Sequence, residues 1–274
     1  MKSESRPPNA RRYLENLAAT GRSHFESADA RAALGLSAVA TTMAVNRLAK
    51  QGAIASPARG FYVIVPPEYR ALGCLPAEQF VPALMTSLGL PYYAGLLTAA
   101  QYHGAAHQRP QEFQVFLDRR RRPIACGRVR VAFMVRKRLR EVPVQEFNTP
   151  RGALRLSTPE ATALDLVGYQ HHAGGLDQVA TVLSELADRL DPKKLVKAAK
   201  TAPLPWAQRL GYTVTRAQFE ENLALKMEDP DFLADISPLL VADHTWEPQD
   251  AARIISSGLI ALLPGEPWKG QVQQ

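Results

Sequence analysis

The stretch that decides the fold is residues 27–65, SADARAALGLSAVATTMAVNRLAKQGAIASPARGFYVIV. Its first half predicts two helices. Ser27 and Ser37 are good N-cap residues, and each precedes a run with apolar residues three and four positions apart. Gly35 and Gly52 are predicted to end these helices, because glycine readily adopts the left-handed conformation found after a helix. Two helices joined by the short turn Gly-Leu-Ser predict a helix-turn-helix.

The flanking sequence adds a further helix and a wing. Asn9 is predicted to cap a helix that ends before Gly21. Residues 54–55 and 61–65 alternate like two paired strands, and the turn residues SPARG lie between them. The pattern as a whole predicts a winged helix-turn-helix.

A domain boundary is predicted at Pro66-Pro67, because two prolines form a rigid break. The predicted domains are a winged helix-turn-helix DNA-binding domain, 1–66, and a larger mixed α/β domain, 67–274. Within the second, residues 110–158 are expected to be rich in strands and residues 159–274 mostly helical. The predicted fold class is therefore α+β.

Composition and charge narrow the class of protein. The chain has 274 residues, a formal net charge of +7 and 46% hydrophobic residues, which is typical of a soluble globular protein. Cys74 and Cys126 are too few for a disulfide framework, so a reducing cytoplasm is expected. The sequence has no apolar run long enough to span a membrane, and no membrane partner is predicted. A sequence pI of about 9.5 favours a polyanionic partner.

The second helix of the helix-turn-helix is expected to lie in the major groove, with its N-terminal end facing the base edges. Hydroxyl groups there can reach bases or phosphates, asparagine can read adenine, and later cations can pair phosphates. The side facing the core is predicted to hold Leu36, Thr41, Ala44, Val45 and Leu48. The predicted DNA-binding residues, the last of them in the wing turn, are Ser37, Ala38, Thr41, Thr42, Asn46, Arg47, Lys50 and Arg59.

A second basic surface is predicted outside this module. Residues 109–140 are rich in arginine and lysine, whereas residues 220–250 are mainly acidic. Such asymmetry indicates surfaces with different partners, two surfaces that face each other, or simply two solvated faces. Four consecutive arginines lie between two predicted strands, at an expected hairpin tip that could contact DNA, RNA or an acidic protein. They are Arg119, Arg120, Arg121 and Arg122.

No catalytic residue, metal or cofactor is predicted, and the protein is not expected to be an enzyme. His103 and His107 have a spacing that can hold zinc, but Gly104 replaces the glutamate of the zinc-protease motif and a third ligand is missing. A nuclease site would need acidic residues and a lysine at a close, characteristic spacing. The candidate carboxylates do not have this spacing. They are Asp165, Glu220, Glu221 and Glu228.

The sequence resembles the AbiEi-like antitoxins of abortive-infection toxin–antitoxin pairs, which serve in phage defence. The resemblance is carried by residues 25–65, by YYAGLLTAAQYHG at 92–104, and by TPRG at 149–152 followed by STPEATALDL at 157–166. It implies an antitoxin whose winged helix binds inverted repeats in operator DNA and represses its own operon. It also implies that the larger domain counteracts a nucleotidyltransferase-type toxin, by direct contact or indirectly.

Two other functions stay open at this point. One is a plain winged-helix transcription regulator whose C-terminal domain binds an effector. The other is a winged helix fused to a nuclease-like domain. A neighbouring nucleotidyltransferase gene would favour the antitoxin, and magnesium-dependent cleavage would favour the nuclease. Within the second motif, Leu96, Leu97 and Ala100 are expected to be core residues rather than contacts to a partner.

Overall fold

The computed structural model describes residues 9–105 and 110–216, which form a mixture of helices and strands. In chain order the elements are α1 (Ala10–Ala19), β1 (His24–Glu26), α2 (Ser27–Leu34), α3 (Ala38–Lys50), β2 (Ile54–Ala58), β3 (Phe61–Ile64), α4 (Ala77–Ser87), β4 (Tyr93–Ala94), α5 (Leu96–Tyr102), β5 (Phe113–Leu117), β6 (Ile124–Cys126), β7 (Val129–Val135), β8 (Val144–Thr149), β9 (Gly152–Ser157), α6 (Pro159–Gly168), α7 (Leu176–Leu186), α8 (Pro192–Ala199) and α9 (Leu204–Arg216). The predicted mixed α and β character is confirmed.

The chain divides into two compact units. The first contains residues 9–93, 111–137 and 146–155. The second contains residues 94–105, 138–145 and 156–216, with residue 110. The domain boundary expected at Pro66-Pro67 stays a prediction, because the division into two compact units does not test whether residues 1–66 fold independently.

The first unit begins with three helices against a small antiparallel sheet. The strand order is β1-β3-β2, with Phe25 opposite Tyr62 and Ile54 opposite Ile64. Apolar side chains from all three helices and the sheet form one core, which includes Leu14, Leu17, Phe25, Ala30, Val45, Leu48 and Ile54. This shared core holds α3 and the β2–β3 hairpin in a fixed relation to each other.

The helix starts follow the predicted caps with one difference. Asn9 accepts a hydrogen bond from the Arg11 backbone N–H at 3.0 Å, and Ser37 accepts one from Ala40 at 3.2 Å. Ser27, the expected cap of α2, is instead its first residue, and Glu26 is the N-cap. The reason is local, because the Asp29 carboxylate accepts a hydrogen bond from the Glu26 backbone N–H at 3.3 Å, as in a capping box.

Three further strands of the first unit are arranged around β7. This strand pairs in parallel with β5 and antiparallel with β6, so it lies between them. β6 was not predicted, because its three residues are too short for an alternating pattern to be recognised. Cys74 and Cys126 are both buried free thiols. Cys74 donates a hydrogen bond to Cys126, and this bond with burial raises the pKa of Cys74.

The second unit is built around α6. Residues 160–167 are all buried, so this helix is enclosed on every side, although Glu160, Thr162 and Asp165 are polar. It packs against α5, α7, α8 and α9. A Cβ added at Gly168 would lie 2.4 Å from the Trp206 ring, and Tyr169 meets the same ring edge-on with centroids 5.1 Å apart. Glycine at 168 therefore permits the close approach of α9.

Two expected helices of this region have different bounds. The helix predicted from Tyr93 starts only at Leu96, because Ala94 pairs in parallel with Leu156 as part of a short strand. Helices predicted at 205–211 and 215–227 are one helix as far as Arg216, and the rest lies outside the described residues.

No single helix among residues 9–105 and 110–216 is long and apolar enough to cross a membrane. The pair α2 and α3 meets the length and composition criteria together, but it is bent by 108°.

Candidate nucleic-acid interface

The segment that carries the candidate interface is α2, the turn and α3. Gly35, at the C-cap of α2, has φ 61° and ψ 26°, the left-handed conformation that glycine adopts without a steric penalty. Three residues, Gly35-Leu36-Ser37, connect the helices, which meet at 108°. Helix-turn-helix motifs join two helices at about 90–120° through a short turn that often contains glycine.

The inner face of α3 is fixed by the core. Val45 and Leu48 are buried in it. Thr41, which we expected both on the core side and among the DNA-binding residues, is only 4% exposed, and its hydroxyl donates to the Ser37 carbonyl at 2.9 Å. Thr41 is therefore the least accessible of the residues predicted to bind DNA. Leu36, expected in the core, is 37% exposed because it lies in the turn before the helix starts.

The other predicted residues of α3 are exposed, and so is Arg59 in the turn between β2 and β3. They are Ser37, Ala38, Thr42, Asn46, Arg47 and Lys50. Thr42 donates its hydroxyl hydrogen to the Ala38 carbonyl at 2.9 Å, which leaves its oxygen lone pairs able to accept. The structure thus brings six of the seven predicted residues at 37–50 to one accessible region.

Sequence reasoning missed two residues on this face. Val39 is 66% exposed and Met43 is 63% exposed. The signal was present in the sequence, because at 3.6 residues per turn both positions fall opposite Thr41, Val45 and Leu48. Because both side chains are apolar, they were not predicted to be exposed, although their position on the helix indicates it.

The charge of α3 suits an anionic partner. Residues 38–50 contain Arg47 and Lys50 and no acidic residue. Both cations lie in the last turns, where they also interact favourably with the helix dipole. An open depression of about 290 Å³ between α2, α3 and β3 is lined by Arg31 together with Thr42 and Tyr62. Arg31 is thus a further exposed cation beside α3.

The arginines at 119–122 do not form a hairpin tip, as we had expected. They connect β5 to β6, which lie on opposite sides of β7 and do not pair. Arg119 forms an ion pair with Asp118 at 2.8 Å, and Arg121 lies over the Phe133 ring, 5.6 Å from its centroid. Arg119, Arg120 and Arg122 are exposed, whereas Arg121 is half-buried.

The motifs at 92–104 and 157–166 meet inside the second unit. The neutral His103 ring donates from Nε2 to the Ser157 carbonyl at 2.8 Å, and burial lowers the pKa of His103. The hydroxyls of Ser157 and Thr162 are 2.7 Å apart. Leu96 and Ala100 are fully buried, which confirms their expected packing role, and Leu97 is half-buried. These contacts join the two motifs in the interior of the second unit.

The described residues give no support to a metal site or a nuclease site. His103 is engaged with a backbone carbonyl, and His107 lies outside the described residues. Across 9–105 and 110–216, no three His, Cys, Asp or Glu side chains converge as metal ligands would. Asp165 is buried in α6, and the other carboxylates considered for a nuclease fall outside the described residues.

Comparison with known proteins gives a family match for residues 93–215. Residues 93–215 match the model of the AbiEi antitoxin C-terminal domain, which confirms the resemblance stated above. Residues 93–215 are therefore similar to an AbiEi antitoxin domain, and this match supports an antitoxin role in a toxin–antitoxin system, with a toxin partner in general. Antitoxins of this family are not normally enzymes.

A solved structure shares the fold over most of the chain. It is described as the crystal structure of RV2827C protein from Mycobacterium tuberculosis. The match has a TM-score of 0.61 and 17% sequence identity, and it covers 88% of this chain and 84% of that chain. At this identity the likeness concerns the fold alone. A search of curated proteins gave no significant match.

Proposed function

We propose that the N-terminal region is a winged helix-turn-helix that binds double-stranded operator DNA. The observation that supports this most directly is the pair α2 and α3, joined by three residues at 108° with the outer face of α3 exposed. In this arrangement α3 enters the major groove, and the β2–β3 hairpin with Arg59 forms the wing. Arg47, Lys50 and Arg59 contact phosphates, while Thr42 and Asn46 reach base edges.

The match to an antitoxin domain supports a role for the proposed DNA binding in the control of an operon. We propose that the protein binds inverted repeats upstream of its own gene and represses that operon. We also propose that it counteracts a nucleotidyltransferase-type toxin encoded beside it, in the cytoplasm. The support is the co-occurrence in one chain of an AbiEi-type domain at 93–215 and an α3 with no acidic residue and two cations.

Two measurements test the proposal. A mobility-shift assay with the DNA upstream of the gene should show binding that weakens steeply with salt, because phosphate contacts release counterions. Failure to shift this DNA at low salt would contradict the DNA-binding role. If the neighbouring gene encodes the toxin, its expression alone should inhibit growth, and co-expression of this protein should restore growth. Co-purification of the two proteins distinguishes direct neutralisation from an indirect one.

A further inference from the structure

The outer face of α3 contains an apolar pair that the proposed contacts leave without a role. Among the described residues, seven large hydrophobic side chains are exposed, and three of these lie within residues 36–43. Val39 and Met43, at 66% and 63%, are more exposed than the other five. They are four positions apart, so they are neighbours on the helix surface. Exposed apolar groups concentrated in this way indicate a contact surface.

The residues around this pair indicate the partner. The same stripe of α3 continues through Asn46 to Lys50, also at helical spacing. Apolar groups therefore occupy the N-terminal half of the exposed face, and an amide and a cation occupy the C-terminal half. The N-terminal residues of a recognition helix face base edges. Cations farther along can reach phosphates. The order of groups along α3 matches a DNA major groove.

The major groove offers one apolar group to such a pair. Each thymine presents its C5 methyl there, whereas the other bases present hydrogen-bond donors and acceptors. We propose that Val39 and Met43 read thymine methyl groups, so that the DNA site contains thymines opposite the N-terminal half of α3. This inference rests on the proposed function and adds a specificity determinant to it. Met43, with its flexible thioether chain, can adapt to a methyl at more than one position.

The test removes the methyl groups without changing base pairing. Duplexes are enriched from a randomised pool by the full-length protein, and the best binder is resynthesised with deoxyuridine in place of each thymidine. Binding is measured by fluorescence anisotropy at fixed salt. Burial of one methyl group is worth about fourfold in affinity. Replacing a contacted thymidine by deoxyuridine should therefore lower the affinity of the protein for the duplex by about that factor.

Two polar substitutions of similar shape complete a cycle. Val39→Thr and Met43→Gln change exposed side chains, and circular dichroism verifies that the fold is kept. Both variants should bind the thymidine duplex more weakly and discriminate less between thymidine and deoxyuridine. Leu176→Gln, at a 48% exposed position on α7, is the matched control and should discriminate as the wild type does.

Other outcomes overturn the inference in distinguishable ways. If the wild type binds thymidine and deoxyuridine duplexes equally, DNA binding stands and thymine reading is wrong. If the variants convert a dimer to a monomer in light scattering without changing discrimination, the pair is a self-association surface and the inference is again wrong. If no duplex is enriched and none binds, the proposed function itself fails.

Discussion

Helices α3 and α6 both lie in motifs that were recognised in the sequence, and they differ in how many of their side chains are exposed. α3 buries Thr41, Val45 and Leu48, and most of its other side chains are exposed. α6 is buried from Glu160 to Val167 and has no such surface. A motif that is recognisable in the sequence can therefore correspond to a buried helix as well as to an exposed surface. Substitutions in α6 should act through stability, and substitutions on the outer face of α3 should act through binding.

The largest effect is expected from a cavity in α6. Leu164 is 2% exposed, and Leu164→Ala should lower the free energy of unfolding by about 2–5 kcal/mol, because buried apolar contacts are lost and the space is not refilled. Urea unfolding measures this change. Leu176→Ala on α7, at a 48% exposed position, is the control and should change stability by less than about 1 kcal/mol. Equal losses in the two variants would contradict the comparison.

The next effect concerns the cations of α3. The double substitution Arg47→Ala and Lys50→Ala should weaken binding on every duplex and reduce the slope of log affinity against log salt by about 2. Thermal stability should be nearly unchanged, since both side chains are exposed. Lys193→Ala with Lys197→Ala on α8 removes the same charge elsewhere and is the control. An unchanged salt slope in the α3 variant would remove these residues from the interface.

Ser37 has both a structural and a proposed binding role, and two substitutions separate them. Ser37→Ala removes the hydroxyl that caps α3 and should cost about 1 kcal/mol of stability, whereas Ser37→Gly should cost only a few tenths. If the hydroxyl also contacts DNA, both variants should lose affinity to a similar extent. Loss of affinity in the alanine variant alone would mean that Ser37 acts only as a cap.

The smallest effect is a pH dependence in the second unit. Burial lowers the pKa of His103 below its ordinary value of 6.5. As the pH falls below about 6.5 the unfolded chain binds the proton first, so the stability present above that pH is lost through the folded pKa. His103→Gln keeps an N–H donor near the Ser157 carbonyl and removes the titration. Thermal melts from about pH 7.5 to about pH 5 should therefore show a shallower decline.

His24 provides the control for this measurement. Its pKa is also lowered, chiefly by burial and then by Arg22, so His24→Gln should remove its own separate contribution. A wild type and a His103→Gln variant with the same pH profile would show that the His103 titration does not affect folding.

Much of the local structure could be predicted because its causes are local. Asn9 and Ser37 cap their helices as expected, and the strand at residues 113–117 has the expected bounds. The misses have causes that are distant in sequence. Ala94 belongs to a strand because it pairs with Leu156, and β6 exists because β7 offers it a partner. Neither pairing leaves a mark in the local pattern.

The candidate interface was predicted in the same partial way. Helical periodicity predicted the exposed polar residues of α3 and placed Thr41 on the core side, where it is found. The inclusion of Thr41 among the DNA-binding residues rested on its hydroxyl alone, and a threonine can satisfy its hydroxyl on the preceding turn. The arginines at 119–122 were treated alike, yet Arg119 and Arg121 contact Asp118 and Phe133. Such contacts depend on the fold and cannot be read from charge alone.

The packing of Trp206 against Gly168 and Tyr169 has a practical consequence for spectroscopy. All three tryptophans of the chain lie at or after residue 206, so residues 1–205 contribute nothing to the tryptophan fluorescence. Fluorescence therefore follows the C-terminal part of the protein, while circular dichroism follows the helices of both compact units. Coincident transitions by the two probes would mean that the units unfold together, and separate transitions would give each its own stability.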